Sequence, residues 1–482
     1  LGSRIRSQEE LIHYSLSILL LHTGIVRKVD PKLLPNYKRA GENSSTIESI
    51  SKGGNTLSTK QKNQLFRTLE VPQTRKNKKT FDTSIRIDKV TTVEGSDKPL
   101  RIAQIAPPWL SVPPQNYGGT EAVISNLTEE LVRQGHEVTL FASGDSQTNA
   151  ELISYVDKGL IDAGFAWDNH SEADYHLINS FREIANNPEK YDVVHIHVSS
   201  TSDLHTLKLA SQISVPHICT LHSRFPLDKR EDFTGLADNY YLSFAQKTPM
   251  IAISERAKED ALESGFPVNI VEVVPHGLPD NHFLKKTVTE RSHLAWVGKI
   301  CRNKGTKYAI EAAVKAKRKI LIAGVIDEYV PDSIDYFNEE VKPLLDKHPE
   351  YAEFIGSVNT AQRMKLLEGA YCFLNPIEWE EPFGLVMIEA MACGAPVISY
   401  KRGAANQLIK PGINGAFAAS VDEMAELVES VGKNIDREKM VADTWDNYSV
   451  TRMAKRYVEE YEKVINTATA NLRKSFDAIV VA

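Results

Sequence analysis

The chain is poor in cysteine and has no CxxC pair: four thiols in 482 residues, at Cys219, Cys301, Cys372 and Cys393, each beside apolar or strand-like sequence. That scatter excludes a disulfide framework and a cysteine-based zinc site, and points to a reducing compartment with cysteines in the core. Apolar runs of membrane length are also missing. The candidate from Leu11 to Val26 is broken by His13 and His22 and carries no cleavage-site pattern. It is shorter than the roughly 20 residues a span requires. It therefore reads as a packed or interfacial helix, and the protein is expected to be cytoplasmic. No sign of charge dominates. The 57 basic and 63 acidic side chains give a net charge of −6, so bulk charge gives no case for a nucleic-acid partner. A mean hydropathy of −0.30, with 42% hydrophobic and 25% charged residues, excludes collagen-like, coiled-coil and multi-span classes.

What is present is unevenly distributed. Residues 1–100 carry 18 Lys/Arg against 10 Asp/Glu, and the remainder carries 39 against 53. A basic leader is thus joined to an acidic body. Residues 40–64 are rich in Ser, Thr, Asn, Gly and Lys without apolar periodicity, as in a linker. The cluster Arg75, Lys76, Lys78 and Lys79 reads as a solvated basic stretch, with an anionic membrane surface or an acidic partner as the alternative.

From Leu100 onward, short apolar runs alternate with helical periodicity. Expected strands are 100–106, 137–142, 193–198, 217–221, 250–253 and 270–274. A second series follows at 294–297, 319–323, 354–355, 371–374 and 396–399. Helices are expected over 120–134 and 306–317. Strands separated by helices imply right-handed crossovers and parallel sheets. Two such series predict an α/β architecture of two facing doubly wound, Rossmann-like domains with a cleft between them. The divisions expected are an N-terminal basic extension over 1–98, a first domain over 99–277, a second over 278–450 and terminal helices over 451–482, whose docking partner periodicity leaves open.

The first strand does not lead into GxGxxG, which disfavours nicotinamide chemistry. It runs through Pro107, Pro108, Pro113 and Pro114 to Gly118, Gly119 and Glu121, where a helix opens. Paired glycines at a helix start form a tight turn, and they also let backbone N–H groups approach an anion. In the second series, the loop after Gly298 brings Lys299, Arg302 and Lys304 to the carboxyl edge of a strand. The stretch from Glu378 to Gly394 places Pro382 at a helix entry, with Glu381 just before the helix and Glu389 inside it. Eight residues make about 2.2 helical turns. The two carboxylates can therefore grip opposite ends of an elongated ligand, with a diphosphate at the N–H groups of Gly384, Leu385 and Val386. Glu389 lies between Met387, Ile388, Ala390 and Met391, where an uncompensated charge would be costly.

The Glu381-x7-Glu389 pattern within EPFGLVMIEAMACGAPVIS, the GKICRNKG loop, the YGGTE turn and VPHGLP together resemble a retaining glycosyltransferase of family 4, with the GT-B fold. The resemblance, to the bacterial nucleotide-sugar-dependent type, runs from about Pro99 to Tyr461. It implies a nucleotide-diphosphate sugar donor such as UDP-glucose or GDP-mannose in the second domain and a hydroxyl acceptor on the first. By that resemblance Glu389 holds the ribose hydroxyls, and Glu381 with Phe383 and Gly384 holds the donor sugar. Leu385 and Val386 join Gly118, Gly119, Lys299 and Lys304 around the diphosphate, and His222 lies near the transferred sugar. The family usually has Arg where this chain has Lys299, so Arg302 is expected to assist. The resemblance makes His222, Lys304 and Glu381 the catalytic set.

No DxD-type motif sits beside these elements, so no metal and no cofactor is expected, the lysines neutralising the leaving diphosphate. His195 and His197 alternate on one strand, but a hydrolytic HxHxDH cluster would need an Asp where Ser199 and Ser200 stand. APPWLSVPPQNYGGTE followed by FASGDSQT resembles a bacterial branch that includes pterin glucosyltransferases. Two other readings compete: a disaccharide phosphorylase of the same fold, and a non-catalytic sugar-nucleotide-binding or anchoring subunit. The oligomeric state is left open by the sequence.

Overall fold

The structure is a computed structural model that describes residues 98–115, 118–167, 170–227, 236–284, 290–328 and 330–481. The helix expected over 11–26, the linker and the basic cluster lie outside these residues. Two parallel sheets account for the body. The first is built from β1 (Arg101–Ile105), β2 (Glu137–Phe141), β3 (Glu151–Ile153), β4 (Val193–Val198), β5 (His217–Leu221), β6 (Met250–Ala252) and β7 (Ile270–Val273), in the order β3-β2-β1-β4-β5-β6-β7. The second contains β8 (His293–Lys299), β9 (Ile320–Val325), β10 (Ala352–Gly356), β11 (Ala370–Asn375), β12 (Val397–Ser399) and β13 (Gly415–Phe417), in the order β10-β9-β8-β11-β12-β13. Both orders reverse direction beside their first strand, where adjacent loops part and open a crevice. Each central strand is almost wholly buried, β4 along its entire length, because helices cover both faces.

The helices used below are α1 (Gly119–Arg133), α2 (Thr306–Lys315), α3 (Thr360–Glu368), α4 (Leu385–Ala392) and α5 (Val450–Val481). One expectation is corrected: Pro382 does not open the helix that carries Glu389. Gly384 is its N-cap, in the left-handed region at φ 91°, and α4 starts at Leu385. Pro382 instead shapes the preceding loop, and its carbonyl accepts a 2.6 Å hydrogen bond from Ser254 Oγ of the first domain.

The chain crosses between domains twice at one place. Leu278 N–H donates to Tyr448 O and Val450 N–H donates to Leu278 O, both at 2.8 Å. A Cβ on Gly277 would lie 2.6 Å from Ser449 O, so only glycine permits this approach. After the second crossing, α5 packs on the first sheet and α1. Its Met453, Ala454, Tyr457 and Tyr461 join Ile102, Leu127, Val193 and Ile218 in one buried cluster. The terminal helix, whose partner periodicity left open, thus returns to the first domain. No helix among the described residues is long and apolar enough to cross a membrane.

Candidate active site

Loops at the carboxyl ends of both sheets meet in a cleft of about 1600 Å³. The connection from β1 delivers Gly118 and Gly119, and the turn after β4 delivers Ser199 and Ser200. The end of β8 supplies Lys299, Arg302 and Lys304, and the loop after β11 supplies Trp379 to Gly384. Every residue expected to bind the donor or to act in catalysis lines this cleft, including His222 after β5 and Leu385, Val386 and Glu389 on α4, whereas His195 and His197 lie behind its wall. A Cβ on Gly119 would lie 3.9 Å from Leu385 Cδ1, so the first turns of α1 and α4 confront each other, one from each domain. The backbone N–H groups of a first helical turn have no partner within their own helix, and the dipole there favours negative charge. Two such ends face to face, with lysines beside them, suit a polyanion.

The cations are held in place by carboxylates. Lys304 Nζ pairs with Glu381, and the Trp379 indole N–H donates to the same carboxylate at 3.1 Å while its ring lies 4.8 Å from Nζ. Lys299 Nζ lies 2.5 Å from Asp327. Arg302, expected to assist Lys299, is directed elsewhere: it pairs with Asp332 at 3.1 Å and with Glu340, and lies over the Tyr336 ring. Its guanidinium braces the loop from the side. Gly305, at φ 71°, lets that loop turn into α2 against β11, since a Cβ there would meet Pro376 O at 1.9 Å.

Glu389 is 6% exposed, and its charge is compensated: Arg363 of α3 donates to it at 2.9 Å. Sequence reasoning missed Arg363, for nothing local links it to a carboxylate 26 positions away. It singled out His195 and His197 on one strand but missed the hydrogen-bonded line that ties His197 to His222 and Gln104. His197 Nδ1 lies 2.8 Å from His222 Nε2, and His197 Nε2 lies 2.8 Å from Gln104 Oε1. His195 contacts Tyr461 and Thr220, each at 2.7 Å. The His276 ring stacks on His222 at 5.3 Å and meets the Phe383 ring at 4.7 Å. One signal was available: Gln104 is a polar residue set between Ile102, Ala103 and Ile105 in the buried part of β1. Burial holds His222 down to about 3, and it pushes His195, His197 and His276 well below the usual histidine range, with neighbouring imidazoles adding to the effect. These histidines are neutral; His195, His197 and His222 are hydrogen-bonded, and His276 is held by its ring contacts. Among the described residues, no group of three or more His, Cys, Asp or Glu is arranged to hold a metal.

Glu121, third residue of α1, was noted only as part of its motif. Burial raises its carboxyl to about 7, its own backbone N–H opposes the rise, and nearby Asp203 adds to it. Asp203 in turn accepts hydrogen bonds from Ser199, Ser200 and the Trp109 indole. Trp109 and the half-exposed Trp167 complete the first-domain wall, their rings 5.6 Å apart.

Comparison with known families follows the same division. Glycosyltransferase Family 4 matches residues 117–282, and Glycosyl transferases group 1 matches residues 280–447. The chain belongs to glycosyltransferase family 4. It is therefore an enzyme of the hexosyltransferase kind, with the GT-B fold. It is 26% identical to alpha-maltose-1-phosphate synthase of Mycolicibacterium smegmatis, over 73% of this chain and 97% of that one. It is also 26% identical to an uncharacterized glycosyltransferase of Methanocaldococcus jannaschii, over 75% and 98%. Among solved structures, an Anabaena protein in complex with UDP-glucose superposes with a TM-score of 0.57 at 17% identity, over 76% of this chain and 100% of the other. This glycosyltransferase thus shares the fold of that protein, with its cleft at the junction of the two matched segments.

Proposed function

We propose that the enzyme moves a hexose from a nucleotide-diphosphate sugar to a hydroxyl acceptor, with retention and without a metal ion. The observation that carries this reading is the confrontation of the α1 and α4 N-termini across a cleft that also holds Lys299 and Lys304. The Anabaena protein of the same fold is described with UDP-glucose, which favours the same class of donor here. In this reading, the diphosphate lies on the N–H groups of Gly119, Leu385 and Val386, with Gly118 allowing its approach. Lys299 and Lys304 neutralise the charge that grows on the leaving phosphate. Glu389, oriented by Arg363, accepts hydrogen bonds from the ribose hydroxyls.

Glu381 acts as a sugar-hydroxyl ligand. Its lone pairs already face Lys304 and the Trp379 indole, which makes it a poor nucleophile. Retention then follows from attack of the acceptor on the face the diphosphate leaves, with the leaving phosphate taking the acceptor proton. The acceptor reaches that face from the wall formed by Trp109, Trp167 and Glu121.

The test is a screen of UDP-, GDP- and ADP-sugars without added metal, on wild type and Glu389→Ala, followed by NMR of the product linkage. Release of nucleotide with one donor, weakened at least about tenfold by the substitution, and an unchanged anomeric configuration are expected. Inverted product, or donor affinity indifferent to Glu389→Ala, contradicts the reading. Phosphorolysis of a disaccharide with no use of any nucleotide sugar would assign the site to a phosphorylase.

A further inference from the structure

We propose that Gln104 and His197 are positioning residues that fix the tautomer of His222, leaving Nδ1 of His222 as a hydrogen-bond acceptor for a donor-sugar hydroxyl. One line of buried atoms runs from Gln104 through His197 to His222. Gln104 Oε1 lies 2.8 Å from His197 Nε2, and a carbonyl oxygen only accepts. His197 Nε2 therefore carries the proton. Burial, reinforced by the neighbouring imidazoles of His195, His222 and His276, keeps His197 neutral, so its Nδ1 has a lone pair and no hydrogen. That lone pair lies 2.8 Å from His222 Nε2, which must donate. His222 is also neutral through burial, so its single ring proton is used on Nε2 and Nδ1 is left as an acceptor.

Two further observations agree. His222 Nδ1 is buried and has no hydrogen-bond partner among the described residues, although the residue lines the cleft. An acceptor left unmatched in a buried wall is costly unless a ligand hydroxyl completes it. The His222 ring is also fixed in its plane by His276, stacked at 21°, and the Phe383 ring then packs against His276 from the second domain. His195 lies beside His197 with ring centres 4.0 Å apart, but its own nitrogens are taken by Tyr461 and Thr220, so it does not compete for the chain.

The direction of the relay is set at one end, by the amide atom of Gln104 that faces His197. In this arrangement His222 cannot protonate a leaving group. It recognises the sugar as an acceptor, which is the role a neutral imidazole fills when its other nitrogen is engaged. The donor sugar rests on the function proposed above, whereas the tautomer does not.

The experiment is a long-range proton–nitrogen correlation spectrum of the full chain with ¹⁵N-labelled histidine, on wild type, Gln104→Leu and His197→Phe, with UDP, GDP and ADP titrated separately. Wild type should show both His197 and His222 protonated at Nε2. Each substitution should shift His222 toward a mixture of tautomers and lower kcat about three- to tenfold, with nucleotide affinity unchanged. A proton on Nδ1 of His222 in wild type overturns the proposal, and so does a His222 tautomer that neither substitution moves. The wild-type spectrum decides even if a variant fails to fold. Failure of all three nucleotides to bind would instead count against the donor reading and leave the tautomer result standing.

Discussion

Glu121 shows what a single residue can contribute to the behaviour of the whole. A carboxyl at about 7 in the folded chain, against an ordinary value of 4.5, stays protonated where the unfolded chain has already ionised. The folded state then binds more protons, so stability from this group falls as pH rises from about 4.5 to 7, by up to roughly 3 kcal/mol. Glu121→Gln should therefore match wild type in stability at pH 4.5 and exceed it increasingly toward pH 8, as followed by denaturant unfolding. A constant difference across that range would refute the assignment. The buried histidines work in the opposite sense. Their folded values lie below the unfolded one, so stability is complete above pH 6.5 and is lost on acidification, which is why the comparison must be made against wild type at each pH.

Sequence legibility at this scale divides by distance along the chain. Glu381, Glu389 and the lysines were legible because their motifs are local and their surroundings unusual. The Arg363 partner of Glu389, the Gln104–His197–His222 line and the burial of Glu121 were not, since each depends on contacts between distant segments.

Among elements, the loop between β8 and α2 is the most constrained part of the site. It carries Lys304 to the cleft and turns at Gly305, where a side chain would collide with the carbonyl of Pro376. The left-handed conformation alone costs a non-glycine residue about 1 kcal/mol, and relieving the collision displaces Lys304 from Glu381. Gly305→Ala should thus lower stability by about 2 kcal/mol or more and weaken donor binding. Circular dichroism melting and donor titration check this, and an unperturbed melting point with full donor affinity would contradict it. The sequence displayed most strands because central parallel strands are continuous apolar runs. It concealed β3 and β13, three-residue edge strands whose sequences, ELI and GAF, carry no such run. It also misjudged the start of α4, because proline at a helix entry is a common arrangement and the Gly384 cap is visible only from its backbone angles.

At the scale of the molecule, two sheets are joined by a double crossing and held by α5, which returns from the second domain to the first. Periodicity shows that such a helix has an apolar face, but not which surface covers it. Here Tyr457 and Tyr461 insert their hydroxyls among the strands, toward Thr220 at 3.0 Å and His195 at 2.7 Å. Tyr461→Phe keeps the apolar contacts and removes only one of the two partners of His195, leaving Thr220. The expected loss is about 1–3 kcal/mol of stability, measured by urea unfolding, with donor affinity retained. Loss of donor binding without loss of stability would mean that α5 acts on the site in another way.

The central claim is that backbone N–H groups from two helices and two lysines, with no metal, hold a diphosphate between the domains. The most direct measurement is calorimetric titration in excess EDTA of a nucleoside diphosphate and its monophosphate, using the best-bound base among uridine, guanosine and adenosine, on wild type and Lys304→Met. Wild type should bind the diphosphate at least about tenfold more tightly than the monophosphate, and the variant should show a much smaller preference. Equal affinity for mono- and diphosphate, or diphosphate binding that vanishes in EDTA, would contradict it.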